Sequence, residues 1–176
     1  MLGAVIGDIA GSRFEFDNYR HTDFDIFSPD SDFTDDTICT VAIADWVLQG
    51  CNDNLASILQ GWCRAYPCPK GAYGGRFSQW IEWKDPEPYN SWGNGSAMRV
   101  SAVGWAFATL EETLHFAEQS AAVTHNHPEG IKGAQAVAAA IFWARTGMGK
   151  AQIKENITRQ FGYDLSQSCD QIRPHY

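Results

Sequence analysis

Apolar residues recur along this chain at three- and four-residue intervals, with little alternation of the strand type, and this pattern predicts a succession of helices. The first covers 2–12. Its glycines at 3, 7 and 11 leave a smooth face on which a second helix can pack closely, and their low propensity makes the helix dependent on such support. Residues 13–33 are polar and aromatic, include Pro29, and read as a long loop of the kind that often carries function. A helix follows over 36–50, with Cys39, Ala42, Ile43, Trp46 and Val47 on one face and Thr34 or Asp35 as its N-cap. Another covers 54–65 and ends before Pro67.

Residues 67–95 are rich in Gly, Pro, Trp and Tyr, and only a short helix over 75–83 is expected there. Helices are then predicted over 96–109, 111–122, 128–145 and 149–161. The third of these begins with Pro128 in its first turn, and its segment GAQAVAAAIFWA is apolar nearly all round, which suits a fully buried central helix. The tail SQSCDQIRPHY gives neither helix nor strand signal. The fold class is all-α, a single domain over 1–176, in a helix bundle or with orthogonal packing.

Composition narrows the function. Hydrophobic residues make up 44% and charged residues 19%, a globular balance, and seven Trp with ten Phe supply rings for a core or a pocket wall. A net charge of −8 argues against nucleic-acid phosphates and anionic membranes as partners. A small anion remains compatible with it, because backbone N–H groups and a bound cation can hold one. Five cysteines cannot all pair within the chain and show no C-x-x-C spacing; reduced thiols in a cytoplasmic protein are expected. The N-terminus lacks a basic region and is interrupted by Asp8, so it does not read as a signal peptide, and there is no run of about 18 apolar residues to span a membrane.

Four short segments could carry chemistry. Phe33-Thr34-Asp35-Asp36-Thr37 sets two adjacent carboxylates at a loop-to-helix junction; their repulsion would be relieved by a hard divalent cation, which takes hydroxyl and carboxylate oxygens. Taken alone, the commoner reading is an N-cap with acids in the first turn. In GDIAGSRFE, Asp8 is an acid inside an apolar helix and Glu15 opens the loop; alone, these read as an Asp bonded to a neighbouring helix end and an exposed Glu. In WGNGSAMR, glycines around Asn94 permit φ > 0 and close backbone approach, and the following helix start could hold phosphate; alone, this is a Gly-rich turn with Ser96 as N-cap. In THNHPEG, His125 and His127 stand just before a helix and could meet a metal or ligand, or simply cap it. Cys63, Cys68, Trp80, Trp83 and Trp92 read as core or pocket wall.

The order of these segments is more specific than any one of them. GDIAGSRFEF, FTDDT, GNGSAMR and THNHPEGIKGA together resemble the ADP-ribosylglycohydrolase family over about residues 2–145, and this outweighs the bland readings. The resemblance implies a compact all-α bundle with its site in a central cleft, and cleavage of the glycosidic bond at C1″ of ADP-ribose conjugates. It implies Mg²⁺ as cofactor, two ions, with Mn²⁺ as the alternative. By the same resemblance Thr34, Asp35 and Asp36 are metal ligands, and Glu15, Asp35 and Asp36 are candidates for the catalytic acid or base. Glu15 matches a glutamate on a mobile loop beside the metals. Gly93, Asn94, Gly95 and Ser96 match the loop along the diphosphate and distal ribose, and His125 a residue near the ligand. The implied partner is an ADP-ribosylated protein or small molecule.

Family members also carry an Asp-x-Asp-Thr metal motif nearer the C-terminus, and no such motif occurs here. The expectation is therefore a chain whose C-terminal part is missing, or whose site is completed by a partner chain. An ADP-ribose-binding or regulatory module without catalysis is the chief rival reading. A metal-dependent phosphohydrolase of unrelated type ranks below it, since that chemistry would want more acidic or His ligands.

Overall fold

Helix α2, Asp35–Leu48, and helix α8, Pro128–Arg145, are the two members around which the rest of the chain is arranged. The computed structural model describes residues 1–175, and among them it contains no strand, only an isolated parallel bridge between Thr34 and Lys70. Against α2 pack α1, Leu2–Gly11, and α3, Leu55–Ala65. Helices α5, Gly95–Arg99, and α6, Ser101–Ala106, touch both α2 and α8. Helices α7, Leu110–Ala122, and α9, Lys150–Phe161, complete the shell of α8. Helix α4, Gly75–Glu82, lies on α3.

Local sequence explains most boundaries. Thr34 caps α2, its side chain accepting from Asp36 N. Thr109 and Glu112 form a reciprocal capping box at α7. His127 caps α8 through Nδ1, with Pro128 at the first helical position, where its missing N–H costs nothing. Gly162, at φ +73°, ends α9 in the left-handed conformation that glycine adopts without strain.

The core falls into three clusters. Ile43, Trp46 and Leu55 meet Val100, Val103, Ala117, Ala134 and Ala138 in the first. Ile38, Cys39, Leu59, Cys63, Trp80 and Ile81 form the second, and Ala136, Ala139, Trp143 and Ile157 the third. Helix α8 is small-residue-rich because it serves two clusters from opposite sides. Gly104 of α6 is its closest approach: a Cβ there would lie 2.7 Å from Ile141 Cβ and 3.0 Å from the Ala138 carbonyl oxygen. Gly104→Ala is expected to cost about 1–3 kcal/mol through overpacking, seen as a lower urea midpoint with an unchanged m-value.

Four expectations need correction. The predicted 96–109 helix is interrupted at Val100, where Val103 N bonds the Val100 carbonyl, and it ends at Ala106. Arg145 takes the carbonyls of Gly104 and Phe107, and Thr109 already caps the next helix, so the chain cannot continue straight. The tail is not featureless: Ser168 and Gln171 make a capping box for α10, Cys169–Ile172, followed by a 3₁₀ turn over Arg173–His175, with Tyr176 outside the described residues. Helix α8 is not buried all round, since Val137 is 38% exposed. Finally, no helix among the described residues packs on the α1 glycine face: a Cβ at Gly3, Gly7 or Gly11 would meet nothing within 4 Å. No helix among the described residues is long and apolar enough to cross a membrane.

Candidate active site

The N-terminus of α2 is held by a carboxylate from another helix. Asp8 of α1 accepts from Thr34 N at 2.9 Å, Thr34 Oγ1 at 2.6 Å, Thr37 N at 3.2 Å and Thr37 Oγ1 at 2.6 Å. It satisfies two free N–H groups and offsets the positive end of the helix. The reading of Asp8 as bonded to a neighbouring helix end is what the geometry shows. The Thr34 hydroxyl donates to Asp8 and accepts from Asp36 N, which leaves it one lone pair.

Asp35 and Asp36 follow in the first turn, with Glu15 close enough to be felt by both. Burial, then the Asp36, Glu15 and Asp8 carboxylates, push Asp35 up to about 6 from an ordinary 3.8. Asp36 is also raised, by burial first and then by Asp8 and Glu15. Glu15 is exposed, and its carboxylate lies against Gly71, where φ is +81° and a Cβ would sit 2.9 Å from Glu15 Cδ. This cluster supplies oxygen donors of the kind a hard divalent cation takes, and its mutual repulsion is of the kind such an ion relieves. Among the described residues no group of three or more His, Cys, Asp or Glu side chains is gathered at metal-binding separation. The donors thus fit in kind without forming a closed set.

Asp35 also lines a cavity of about 280 Å³, just below the roughly 300–1,000 Å³ typical of ligand pockets. Its wall includes Gly93, Asn94, Gly95, Arg76, Arg99 and His125. Gly95 is required by sterics: a Cβ there would lie 2.9 Å from both Cε1 and Nε2 of His125. Neither Gly93 nor Gly95 adopts positive φ, so close approach is their reason, and conformational freedom is not. Arg99 is buried, donates through Nη2 to Ser120 O at 2.8 Å and Thr124 Oγ1 at 2.9 Å, and has no partner for Nε. No carboxylate pairs with it among the described residues, so its charge is available to an anion in the cavity.

The structure therefore brings Asp35, Gly93, Asn94, Gly95 and His125 around one space and leaves Asp36, Glu15 and Thr34 outside its wall. Ser96 lies elsewhere: it is the second residue of α5, not its N-cap, fully buried, with Oγ donating to Gly130 O at 2.7 Å. The two histidines divide their work, His127 capping α8 and His125 facing the cavity. Cys68, Trp83 and Trp92 are exposed, unlike the core residues Cys63 and Trp80. All five cysteines are free. Sequence reasoning missed Arg76, Tyr89 and Ser91 in the wall, and it quoted Arg99 without giving it a role. The only signal for Arg99 was a cation inside an otherwise apolar helix.

Comparison with known proteins places the chain in a family. The ADP-ribosylglycohydrolase family model matches residues 1–172. The chain is 26% identical over 175 residues to ADP-ribosylhydrolase ARH3 of Xenopus tropicalis, an alignment covering 84% of this chain and 49% of that protein. It is 36% identical over 62 residues to ADP-ribosylhydrolase ARH3 of Mus musculus, covering 35% of this chain and 17% of the mouse protein. It thus spans about half the length of the frog relative. With an all-helical architecture, its matched segments in order and nearly its whole length covered by the family model, the chain belongs to the ADP-ribosylglycohydrolase family.

Proposed function

We propose that this chain binds the ADP-ribose moiety of an ADP-ribosylated protein or small molecule and takes part in hydrolysing its glycosidic bond at C1″. The observation that carries this is the sharing of one cavity by an acid, Asp35, a glycine-opened loop, Gly93–Gly95, and two cations, Arg76 and Arg99. The cations and backbone suit a diphosphate, and the acid suits the reacting end of a sugar.

In this reading Asp35 holds the proton that moves. With no cation bound its carboxyl is raised to about 6, which makes it a stronger base than an ordinary Asp and leaves it ionised in most molecules at neutral pH, free to bind a cation or accept a proton from an attacking water. Its charge, with that of Asp36, also stabilises the oxocarbenium-like state at C1″. Arg99 and Arg76 hold the ligand's anionic end, and the absence of a side chain at Gly95 lets His125 reach the same space. Thr34, Asp35 and Asp36 would hold Mg²⁺ or Mn²⁺, which when bound supplies Lewis acidity and orients the ribose hydroxyls.

A second reading has its own support. Glu15, Thr34 and Asp36 stand outside the cavity wall, and no three acidic or His side chains among the described residues are gathered at metal-binding separation, a dispersed arrangement that favours an ADP-ribose-binding module without turnover. Calorimetric titration with ADP-ribose and Mg²⁺, beside a hydrolysis assay on ADP-ribosylated protein, separates the two. Release of ADP-ribose supports the hydrolase, binding alone selects the module, and no binding sinks both. Gly95→Ala should weaken ADP-ribose binding about tenfold or more, because the new methyl displaces the His125 ring.

A further inference from the structure

We infer that Thr124 is a positioning residue: its hydroxyl fixes His125 with Nδ1 as acceptor and Nε2 carrying the hydrogen, so that the ring presents a donor to an oxygen atom of the bound ligand.

The geometry sets the direction of each bond. Arg99 has only donors, so the contact from Nη2 to Thr124 Oγ1 at 2.9 Å uses a lone pair of that oxygen. The hydroxyl has one hydrogen, and Thr124 is fully buried. His125 Nδ1, 2.7 Å away, is the acceptor in reach among the described residues. Were Nδ1 protonated instead, the Thr124 hydrogen would be stranded in the interior at the cost of an unmade hydrogen bond. It would also turn towards the guanidinium charge, which orients the O–H dipole the other way. A neutral imidazole with Nδ1 accepting must carry its hydrogen on Nε2.

The remaining surroundings agree. The backbone of the segment is fixed, with His125 N donating to Ala121 O at 2.8 Å and Thr124 O accepting from Ser91 N at 3.3 Å. The Cε1–Nε2 edge of the ring is turned towards the Gly93–Gly95 loop: both atoms lie 2.9 Å from where a Gly95 Cβ would be, and Nε2 lies 4.0 Å from where a Gly93 Cβ would be. Burial first, then the Arg99 charge, push His125 down to about 4, so the ring stays neutral. Arg99 from α5 and Tyr89, whose ring centroid is 6.2 Å away, face the ring, and Asp35 lines the same cavity. A neutral donor beside the Arg99 guanidinium matches an anionic or hydroxyl oxygen.

The ligand in this inference rests on the proposed function, but the tautomer does not, and the experiment keeps them apart. Long-range ¹H–¹⁵N correlation on histidine-labelled full chain reads the tautomer, with His125→Asn identifying the ring. The wild type should show Nε2–H at neutral pH. Thr124→Val, isosteric but without the hydroxyl, should mix the tautomers and weaken ADP-ribose binding about tenfold, and Thr124→Ser should restore both. An Nδ1–H form in the wild type overturns the inference, as does a tautomer or an affinity unchanged in Thr124→Val. Should Thr124→Val fail to fold, the wild-type and Thr124→Ser spectra decide. The expected tautomer in a chain that does not bind ADP-ribose overturns the functional reading alone.

Discussion

Asp35→Asn is expected to make the protein more stable above pH 6 and, on the proposed function, to lower turnover steeply. The folded-state value of about 6 exceeds the ordinary 3.8, so between these values the native state binds more protons than the unfolded chain. Stability therefore falls as pH rises through that window, and the full penalty is present above it. The causes are burial and the facing carboxylates of Asp36, Glu15 and Asp8, which the neutral amide does not feel. The shift corresponds to roughly 3 kcal/mol at face value, and partial exposure with solvent screening reduces it to about 1–2 kcal/mol. That gain should raise Tm by about 2–6 °C at pH 8 without divalent cation, and by far less at pH 4. If Asp35 is the general base proposed above, the same substitution should lower turnover about 10²–10⁴-fold. Thermal melts at both pH values, with and without Mg²⁺, check the first part. A melting point at pH 8 below that of the wild type would show that the carboxylate is compensated in a way its neighbours do not reveal.

Asp8→Ala should have the larger effect on folding. Four hydrogen bonds converge on this carboxylate from Thr34 and Thr37, at 2.6–3.2 Å. Truncation leaves the N–H groups of Thr34 and Thr37 without their acceptor and removes the negative charge at the start of α2. Each bond to a charged group is worth about 1.5–3 kcal/mol, and because the four share one acceptor the loss should total about 3–5 kcal/mol rather than their sum. Asp8→Asn should recover only part, since its amide N–H₂ would meet donors where the carboxylate met none. Urea denaturation by circular dichroism measures both. Because α2 also carries Asp35 and Asp36, the ADP-ribose and Mg²⁺ binding proposed above should fall with Asp8→Ala even in the fraction that folds.

Caps and turns were readable from the sequence because their chemistry is local. Thr34 before two acids marks a helix start, and Pro128 after His127 marks another, as found. The Ser168–Gln171 capping box of the tail was equally local, and its S-x-x-Q spacing was open to the same reading. At the Gly93–Ser96 turn the roles came out reversed. Ser96 serves the fold through Gly130 O, and Gly95 serves the site by yielding room to His125, because neither partner is near in sequence.

The amino-acid order alone determined that this chain would be helical, where most helices begin, and that its acids, glycines and histidines stand in the order of its family. These follow from periodicity, capping and segment order, which act within a few residues. Tertiary structure alone decided that Asp8 closes the end of α2, that Asp35 shares a cavity with Gly93–Gly95 and His125, and that Arg99 reaches His125 through Thr124. Those contacts join residues 25 to 90 positions apart. Only the packing of α1 and α5 against α2, and of α5 against α8, which buries their apolar faces, brings these polar groups together.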